Sequence, residues 1–396
     1  MNLFFYKIGL LVVFPFFLML HGVYWVTNKE SFALAVYALK LAFLPFLFVA
    51  FVRFFPGLIK GGLFVRISLI VAPCFALSMA TPFIFGGNST FYYLSDMTGL
   101  MVTISSVPII YLLLTKSILT FRFIEKTYAY YLFIVSFYIV LYYFFSGGDK
   151  ISITPEMHMP MAIVIGAFLV PMPDSYRPSI WLIALIAFAC ALSQLRENLL
   201  LYVLIGATCL IRSLIFSSPR KLVLIFIAAQ ILIVLFGSYF AKDLVLERLG
   251  SMRLNSSSSS VMDGSISQRF VEIELMKQEM KKIPASFVVG KGFGATYENI
   301  ENVLIYYGDR VHNAHSTPFV VYFRHGIYGL IIFLIPIVLA ACSLIKEDVF
   351  CFRASLVVVS IYCALLFNQY LFWNVQYGVA VALLLYSLKI RKIRRS

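Results

Sequence analysis

The chain has 396 residues, of which 61% are hydrophobic and only 13% are charged, and its formal net charge is +14. A soluble domain of this length cannot bury so much apolar surface, so the composition excludes a soluble globular protein. The long continuous apolar blocks also exclude a membrane β-barrel, whose strands alternate apolar and polar residues. The sequence therefore predicts an all-α polytopic membrane protein.

The first apolar block, "MNLFFYKIGLLVVFPFFLMLHGVYW", has the length of a signal peptide but lacks a cleavage site of small residues, so it is predicted to be the first membrane helix. Apolar runs of about 17 to 22 residues then recur, long enough to cross the hydrocarbon core of a bilayer. Twelve spans are predicted, at residues 5–26, 31–52, 62–81, 95–115, 127–146, 158–173, 179–193, 197–216, 221–240, 319–345, 350–367 and 371–389.

Basic residues between these spans indicate the orientation of the chain. The predicted short loops on one side hold thirteen basic residues and the tail "KIRKIRRS" adds five, whereas the opposite short loops hold only Lys29, Lys150 and Arg196. Because Lys and Arg accumulate on the cytoplasmic side, both termini are predicted to be cytoplasmic. The net positive charge is thus interpreted as a topology signal and as contact with anionic headgroups, not as a nucleic-acid site.

This topology divides the chain into three parts. Residues 1–240 hold spans 1–9, residues 241–318 form one large external loop, and residues 319–396 hold spans 10–12 and a basic cytoplasmic tail. Arg196, in "LSQLREN", falls on the same side as the large loop. None of the six cysteines lies in that loop, so no disulfide framework is expected there.

The large loop contains a predicted flexible stretch and a predicted amphipathic helix. The run from Asn255 to Ser260 has low complexity and nothing to bury. Ser265 and Gln268 form a capping-box pattern, Arg269 lies in the first turn, and Pro284 ends the helix. The predicted apolar face consists of Ile266, Phe270, Ile273, Met276, Met280 and Ile283.

Two further motifs follow in the loop. The "GKGFG" stretch forms a GxGxG pattern, which suits either a tight turn or a backbone cradle that approaches a ligand closely. The stretch "VHNAHSTPFVVYFRHGIYG" then gathers three of the chain's five histidines where the chain re-enters the membrane. Each histidine alone is typical of an interfacial side chain, and Arg269 alone is typical of headgroup contact. Their shared side of the membrane favours a joint role.

Arginine and histidine together suit a phosphate-bearing substrate. Guanidinium groups bind phosphate through two parallel hydrogen bonds, and a neutral histidine can accept a proton from a hydroxyl nucleophile. In a membrane, the simplest such reaction displaces a lipid pyrophosphate with an acceptor hydroxyl. The loop has no DxD pair, no HExxH and no carboxylate cluster, so a reaction without a metal or another cofactor is expected.

The order of these motifs resembles the superfamily of O-antigen ligases and O-antigen polymerases. The matching pieces are "SQLREN", "SISQRFVEI", "GKGFG" and "HSTPFVVYFRHGIYG", and they lie between about residues 180 and 345. His315 stands eleven residues before Gly326, and Gly329 completes a GxxG, which is the spacing of the family's histidine. His312 carries the commoner local pair "HN". Glu197 beside Arg196 departs from the family pattern.

The resemblance implies a glycosyltransferase of the C type in the bacterial inner membrane. Its donor would be an undecaprenyl-pyrophosphate-linked glycan, its acceptor a second glycan, and a chain-length regulator a possible partner. The implied catalytic residues are His315, Arg269 and Arg196. The implied substrate-binding residues are His312, Asn313, Gly292, Gly294, Arg310 and Arg324.

Three functions stay open at the level of sequence. A polymerase that joins two lipid-linked repeat units is favoured, because "VVGKGFG" resembles the loop of that branch and the external loop is of modest size. A ligase would instead deliver the polymer to the lipid A core. A flippase for lipid-linked sugars would predict many intramembrane charges and internal repeats, and few such charges are evident. The sugars, their linkage and the acceptor are not predicted.

Overall fold

The computed structural model describes residues 56, 59, 62–86, 88, 90–145, 157–192, 196–216, 266–299, 310–312, 314, 316–345, 348–367 and 375–395. Helices dominate these residues. In chain order they are α1 Leu63–Phe85, α2 Thr90–Thr115, α3 Phe121–Phe145, α4 His158–Leu169, α5 Ile180–Leu192, α6 Arg196–Ile215, α7 Ile266–Lys281, α8 Ser286–Val289, α9 Thr317–Leu344, α10 Val349–Phe367 and α11 Val375–Arg395. Two short antiparallel strands, β1 Tyr297–Glu298 and β2 Arg310–Val311, pair Tyr297 with Val311.

Six of these helices are long and apolar enough to cross a membrane. The qualifying segments are Val65–Phe85, Tyr92–Thr115, Phe121–Phe145, Asn198–Ile215, Thr317–Leu344 and Val349–Leu366. The chain is therefore an all-α membrane protein, as its composition predicts. The predicted spans 5–26, 31–52 and 221–240 lie outside the described residues.

Two predicted spans are shorter than expected. The segments predicted at 158–173 and 179–193 form helices of only 12 and 13 residues. At 1.5 Å per residue, each covers less than 20 Å of a hydrocarbon core about 30 Å thick. Prolines explain the gap, because α4 ends just before Pro171 and α5 begins just after Pro178. Every residue of α4 except Phe168 is buried, so α4 is a core helix.

Local hydrogen bonds explain where other helices begin. Thr120 accepts a hydrogen bond from the Phe123 N–H at the start of α3, and Ser179 accepts one from the Leu182 N–H at the start of α5. Asp348 accepts one from the Cys351 N–H at the start of α10. These side chains supply acceptors for first-turn amides, which have no carbonyl four residues earlier within the helix.

The centre of the bundle is α10, which packs against α9, α4, α11 and α6. It carries Arg353, which is 2% exposed and forms an ion pair with Glu125 of α3. The other oxygen of this carboxylate accepts the Tyr176 N–H at 2.6 Å. Arg353 and Arg212 are two of the thirteen basic residues that the sequence interpretation assigned to short loops. Both are buried within helices. A partner charge and flanking aromatic rings make that burial tolerable.

The last helix also differs from the prediction. The tail "KIRKIRRS" was expected to follow a span that ends at residue 389, but α11 continues as one helix to Arg395. Its apolar half packs along α2. A Cβ at Gly378 would overlap the Ser106 hydroxyl, so glycine at this position permits the two backbones to approach closely.

Candidate functional site

The helix α9 is interrupted at Gly326, directly after Arg324 and His325. Gly326 has φ 63° and ψ −165°, which is non-helical and is a conformation that only glycine adopts readily. The segment predicted as the span 319–345 is therefore divided into two helical pieces at Gly326. The break has a tertiary cause, because the GxGxG stretch crosses α9 at this point. A Cβ at Gly326 would overlap the Val288 carbonyl, and a Cβ at Gly290 would overlap the Arg324 carbonyl.

Backbone amides of the GxGxG stretch donate hydrogen bonds that connect it to its neighbours. The Lys291 N–H donates to the Phe323 carbonyl at 2.8 Å, and the Gly292 N–H donates to the Arg324 carbonyl at 2.9 Å. The Gly294 N–H donates to Asp96 Oδ2 at 2.8 Å. Because these amides bind protein atoms, the contacts favour a tight turn over a ligand cradle for this stretch. The substrate-binding role of Gly292 and Gly294 stays a prediction.

A buried ionic network lies directly beside the crossing. Asp96, in the second turn of α2, is 1% exposed, and Arg324 of α9 is fully buried. Arg324 Nη1 donates to Asp96 Oδ1 at 2.7 Å, and Arg324 Nη2 donates to the His312 carbonyl at 2.7 Å. We call the end of the bundle where α2 and α9 begin the loop end, because α7 and α8 pack there against α9.

The ring of His312 completes the network. It stacks on Tyr92, with ring centroids 3.9 Å apart and planes at 5°. Its Nδ1 lies 3.2 Å from the Ala295 carbonyl, and its Nε2 lies 3.3 Å from Asp96 Oδ1 and 3.0 Å from Arg324 Nη2. Burial, and then the nearby Arg324 charge, hold the pKa of His312 below its usual value, although Asp96 acts in the opposite direction. The ring is therefore neutral at pH 7.

A neutral ring has one N–H and one lone pair, so it can satisfy these neighbours in two ways. With the proton on Nε2, the ring donates to Asp96 and accepts from Arg324 at Nδ1, 3.2 Å away. With the proton on Nδ1, it donates to Ala295 and accepts from Arg324 at Nε2. In both arrangements Arg324 donates to the ring, so the guanidinium holds His312 in place.

The helix α7 carries Arg269 in its first turn, part-buried. It packs against β1, α8 and the start of α9. Its predicted apolar face is only partly correct. Met276 and Met280 are buried, but Phe270 is 67% exposed, and the buried side includes the carboxylates Glu272 and Glu279. Two lysines, one directly after α7 and one in the GxGxG stretch, accommodate Glu279.

Glu279 is the centre of those charged contacts. It lies 3.2 Å from Lys291 Nζ and 2.8 Å from Lys282 Nζ. Burial alone would raise the pKa of Glu279, but the hydrogen bonds and charges of these two lysines bring it below its usual value. Arg310 is half-exposed, and its Nε donates to Thr296 Oγ1 at 2.8 Å. Its guanidinium thus braces the β1–β2 pair and leaves one side at the surface.

His325 is the last residue of α9 before the break at Gly326. It is 4% exposed, and its Nδ1 lies 2.7 Å from Ser78 Oγ of α1. The Ser78 carbonyl accepts the Phe293 N–H at 3.0 Å, which ties α1 to the same turn. This buried environment is that of a packing residue.

An apolar cavity begins beside His325 and runs away from the loop end. It lies between α1, α2, α9 and α11 and has a volume of about 290 Å³. Thr103 and Gly329 line it near its middle, and Arg66 and Leu339 line it at the far end. From His325 to Leu339 the cavity follows about 20 Å of α9.

The structure brings together four of the predicted site residues, namely His312, Arg324, Gly292 and Gly294. The helix with Arg269 packs beside them. Arg196 begins α6, whose main neighbours are α4, α5 and α10. The predicted base His315 and the predicted substrate-binding residue Asn313 lie outside the described residues.

Sequence reasoning missed Asp96, Glu279 and Lys291. Asp96 stands at the edge of the predicted span 95–115, where a carboxylate passes for a residue of the boundary. A usable signal was nevertheless present, because a carboxylate at membrane depth is costly and implies a partner. That partner, Arg324, lies 228 positions away, and no local pattern links the two.

Comparisons with known proteins add no assignment, because no family model and no curated protein matches this chain.

Proposed function

We propose that this protein is a membrane glycosyltransferase of the C type, with twelve spans and both termini in the cytoplasm of a bacterial cell. It transfers a glycan from undecaprenyl pyrophosphate to a sugar hydroxyl of a second lipid-linked unit, at the external face of the inner membrane. The proposal rests on the resemblance of four ordered motifs to the O-antigen polymerase and ligase superfamily.

One structural observation supports the proposal most directly. The helix with Arg269 packs against α9, which begins only two residues after His315. The buried network of Asp96, Arg324 and His312 holds the chain just before that start. An arginine-bearing helix thus packs against the helix that follows the proposed histidine in the sequence, an arrangement that suits a phosphate site with a nearby base.

In the proposed reaction, one histidine acts as the base and two arginines stabilise the leaving group. His315 accepts the proton of the acceptor hydroxyl, whose oxygen attacks the anomeric carbon of the donor glycan. The bond from that carbon to the pyrophosphate oxygen breaks, and undecaprenyl pyrophosphate leaves with the bonding electrons. Arg269 and Arg196 stabilise the negative charge on the leaving group, an effect of about 3 kcal/mol for each well-placed donor. We expect this transfer to need no divalent cation.

The apolar cavity offers a place for the polyprenyl chain of the donor. It begins at the level of His325, close beneath the network at the loop end, and extends into the apolar part of the bundle. An apolar lining can hold a hydrocarbon chain as lipid tails do, without removing any polar group from its partners. The pyrophosphate would then lie at the loop end, near α7 and the start of α9.

Complementation separates the candidate functions. The protein is expressed in a polymerase-null strain and in a ligase-null strain, and the surface polysaccharide is resolved as a ladder. A ladder restored in the polymerase-null strain is expected. Restoration only in the ligase-null strain would identify a ligase, and movement of lipid-linked sugar across a vesicle membrane without chain growth would identify a flippase.

Two histidine variants test the proposed base. His315→Ala should abolish ladder formation while the protein still inserts, because no other group would accept the hydroxyl proton. His325→Ala is the matched control and should retain most activity per molecule, because its ring contacts Ser78 within the bundle. Normal ladders in His315→Ala together with lost ladders in His312→Ala would move the assignment to His312.

A further inference from the structure

One carboxylate at the loop end binds three separate segments of the chain. Asp96 accepts hydrogen bonds from Arg324 Nη1 and from the Gly294 N–H, and it lies 3.3 Å from the ring of His312. Those three partners belong to α9, to the GxGxG turn and to the stretch after β2. We propose that Asp96 and Arg324 are a positioning pair that fixes the chain carrying the catalytic histidine, an inference that rests on the proposed glycan transfer.

The geometry of Arg324 fits positioning and not substrate contact. Its side chain is fully buried, so a substrate at the surface of the loop end cannot reach it. Its Nη1 is bound to Asp96, and its Nη2 is bound to the carbonyl and ring of His312. The guanidinium therefore acts through His312, which precedes His315 by three residues. This replaces the substrate-binding role that the sequence suggested for Arg324.

The pair is also more than a stabilising contact. Burying two charges is costly, and a neutral pair of similar volume is often equally stable. What an uncharged pair such as Asn with Met cannot reproduce is the donation from the guanidinium to the carbonyl and the ring of His312. His312 stands three residues before the proposed base, and a displacement of about 1 Å in a catalytic group can slow a reaction by about a hundredfold.

The chain contains a matched control for this argument. Glu125 and Arg353 form a second buried carboxylate–guanidinium pair, with comparable burial. α9 ends at Leu344, on the side of the bundle opposite to the loop end, and α10 begins there at Val349. Arg353 lies in the first turns of α10 and is therefore far from the loop end. This second pair contacts the Tyr176 amide and the Ile163 carbonyl, so its removal tests the loss of a buried ion pair away from the proposed site.

The experiment compares two neutralised pairs in the full-length protein, purified in detergent. One variant combines Asp96→Asn with Arg324→Met, and the other combines Glu125→Gln with Arg353→Met. Three quantities are measured for each: the melting temperature, the turnover of lipid-linked glycan per folded molecule, and the hydrogen-exchange rates of residues 290–299 and 310–312. Neutralising both partners avoids an isolated buried charge, which would unfold the protein for a trivial reason.

The expected result is a difference between the two variants. Both should fold, but the Asp96/Arg324 variant should turn over at least tenfold more slowly, with faster exchange in the two segments. The Glu125/Arg353 variant should stay within about twofold of the parent protein. Equal turnover in the two variants, or slow turnover without faster exchange, would overturn the proposal.

Two further arms keep the test decisive. If the double variant does not fold, Arg324→Lys keeps the charge but loses the two-pronged geometry, and normal turnover in that variant would overturn the positioning role. If the parent protein transfers no glycan at all, the proposed function fails. The exchange rates then still decide whether Asp96 and Arg324 hold the two segments, since unchanged rates refute it.

Discussion

Arg269 is the residue at which the proposed leaving-group chemistry is most open to test. It lies in the first turn of α7, beside the packed start of α9. A lysine at this position would keep the positive charge but not the planar, two-pronged donor that matches a phosphate. The two properties of arginine can therefore be separated by substitution.

We predict that Arg269→Ala lowers ladder formation about a hundredfold and that Arg269→Lys recovers only part of it, because a donor to the developing charge is worth roughly 3 kcal/mol. Lys277→Ala on the same helix is the control, since Lys277 is half-exposed and pairs with Glu274 on the surface. Ladders are normalised to the amount of membrane protein. Full activity of Arg269→Lys would show that charge alone suffices.

A second prediction at this scale concerns pH. Burial and the Arg324 charge keep the pKa of His312 below the 6.5 of an unfolded histidine. As the pH falls below 6.5, the unfolded chain binds a proton that the folded chain does not, so this residue lowers the stability at acid pH. The melting temperature should therefore fall less between pH 7.5 and pH 5.5 in His312→Gln than in the parent protein. Equal falls would contradict a neutral buried ring.

At the scale of elements, the decisive feature is the crossing of the GxGxG turn and the broken helix α9. Val288, Gly290 and Gly326 approach so closely that neither glycine can carry a side chain. The turn thereby interrupts α9 at the residue next to His325, and Arg324 remains in the first segment. The break orients the first two turns of α9 separately from its longer apolar part.

We predict that Gly326→Ala is far more destabilising than Gly86→Ala. Both glycines have positive φ with ψ near 180°, so both substitutions strain the backbone by about 1–3 kcal/mol. Only Gly326 also faces the Val288 carbonyl, whereas a Cβ at Gly86 meets nothing within 4 Å. The loss at Gly326 should therefore reach about 4 kcal/mol or more. Similar melting temperatures of the two variants would argue against the close crossing.

At the scale of the whole molecule, the loop end and the opposite end of the bundle carry different buried ion pairs. Asp96 with Arg324 lies at the first, and Glu125 with Arg353 lies at the second. Both pairs join helices that are distant in sequence. Each pair therefore fixes how helices meet, and which pair faces which side of the membrane depends on topology.

We predict that positions 258 and 269 face the outside of the cell and that position 122 and the C-terminal helix end face the cytoplasm, because basic residues concentrate in the loops on that second side. Single cysteines at these positions are labelled with an impermeant reagent, in a background without the native cysteines that still makes ladders. Labelling after lysis serves as the control. External labelling of position 122 but not of position 258 would reverse the orientation.

Composition and apolar runs are sufficient to predict the class of this protein and most of its described helices. Apolar runs fix helix location in a membrane, because every backbone amide must find a partner within its own helix. The long helices α2, α3, α9 and α10 accordingly lie near their predicted positions. The resemblance of the ordered motifs, not hydropathy, singled out His312, Arg324 and the glycines.

The contacts of these residues, in contrast, depend on the tertiary structure. The helix break at Gly326, the use of the glycine amides by Asp96 and Arg324, and the burial of Glu279 each depend on segments far apart in sequence. Periodicity describes one helix at a time, whereas a buried charge is stabilised by its partner, and partners are chosen by packing. For that reason the sequence could indicate a candidate site at the loop end but not its contacts. The bond between Asp96 of α2 and Arg324 of α9 is visible only in the folded chain.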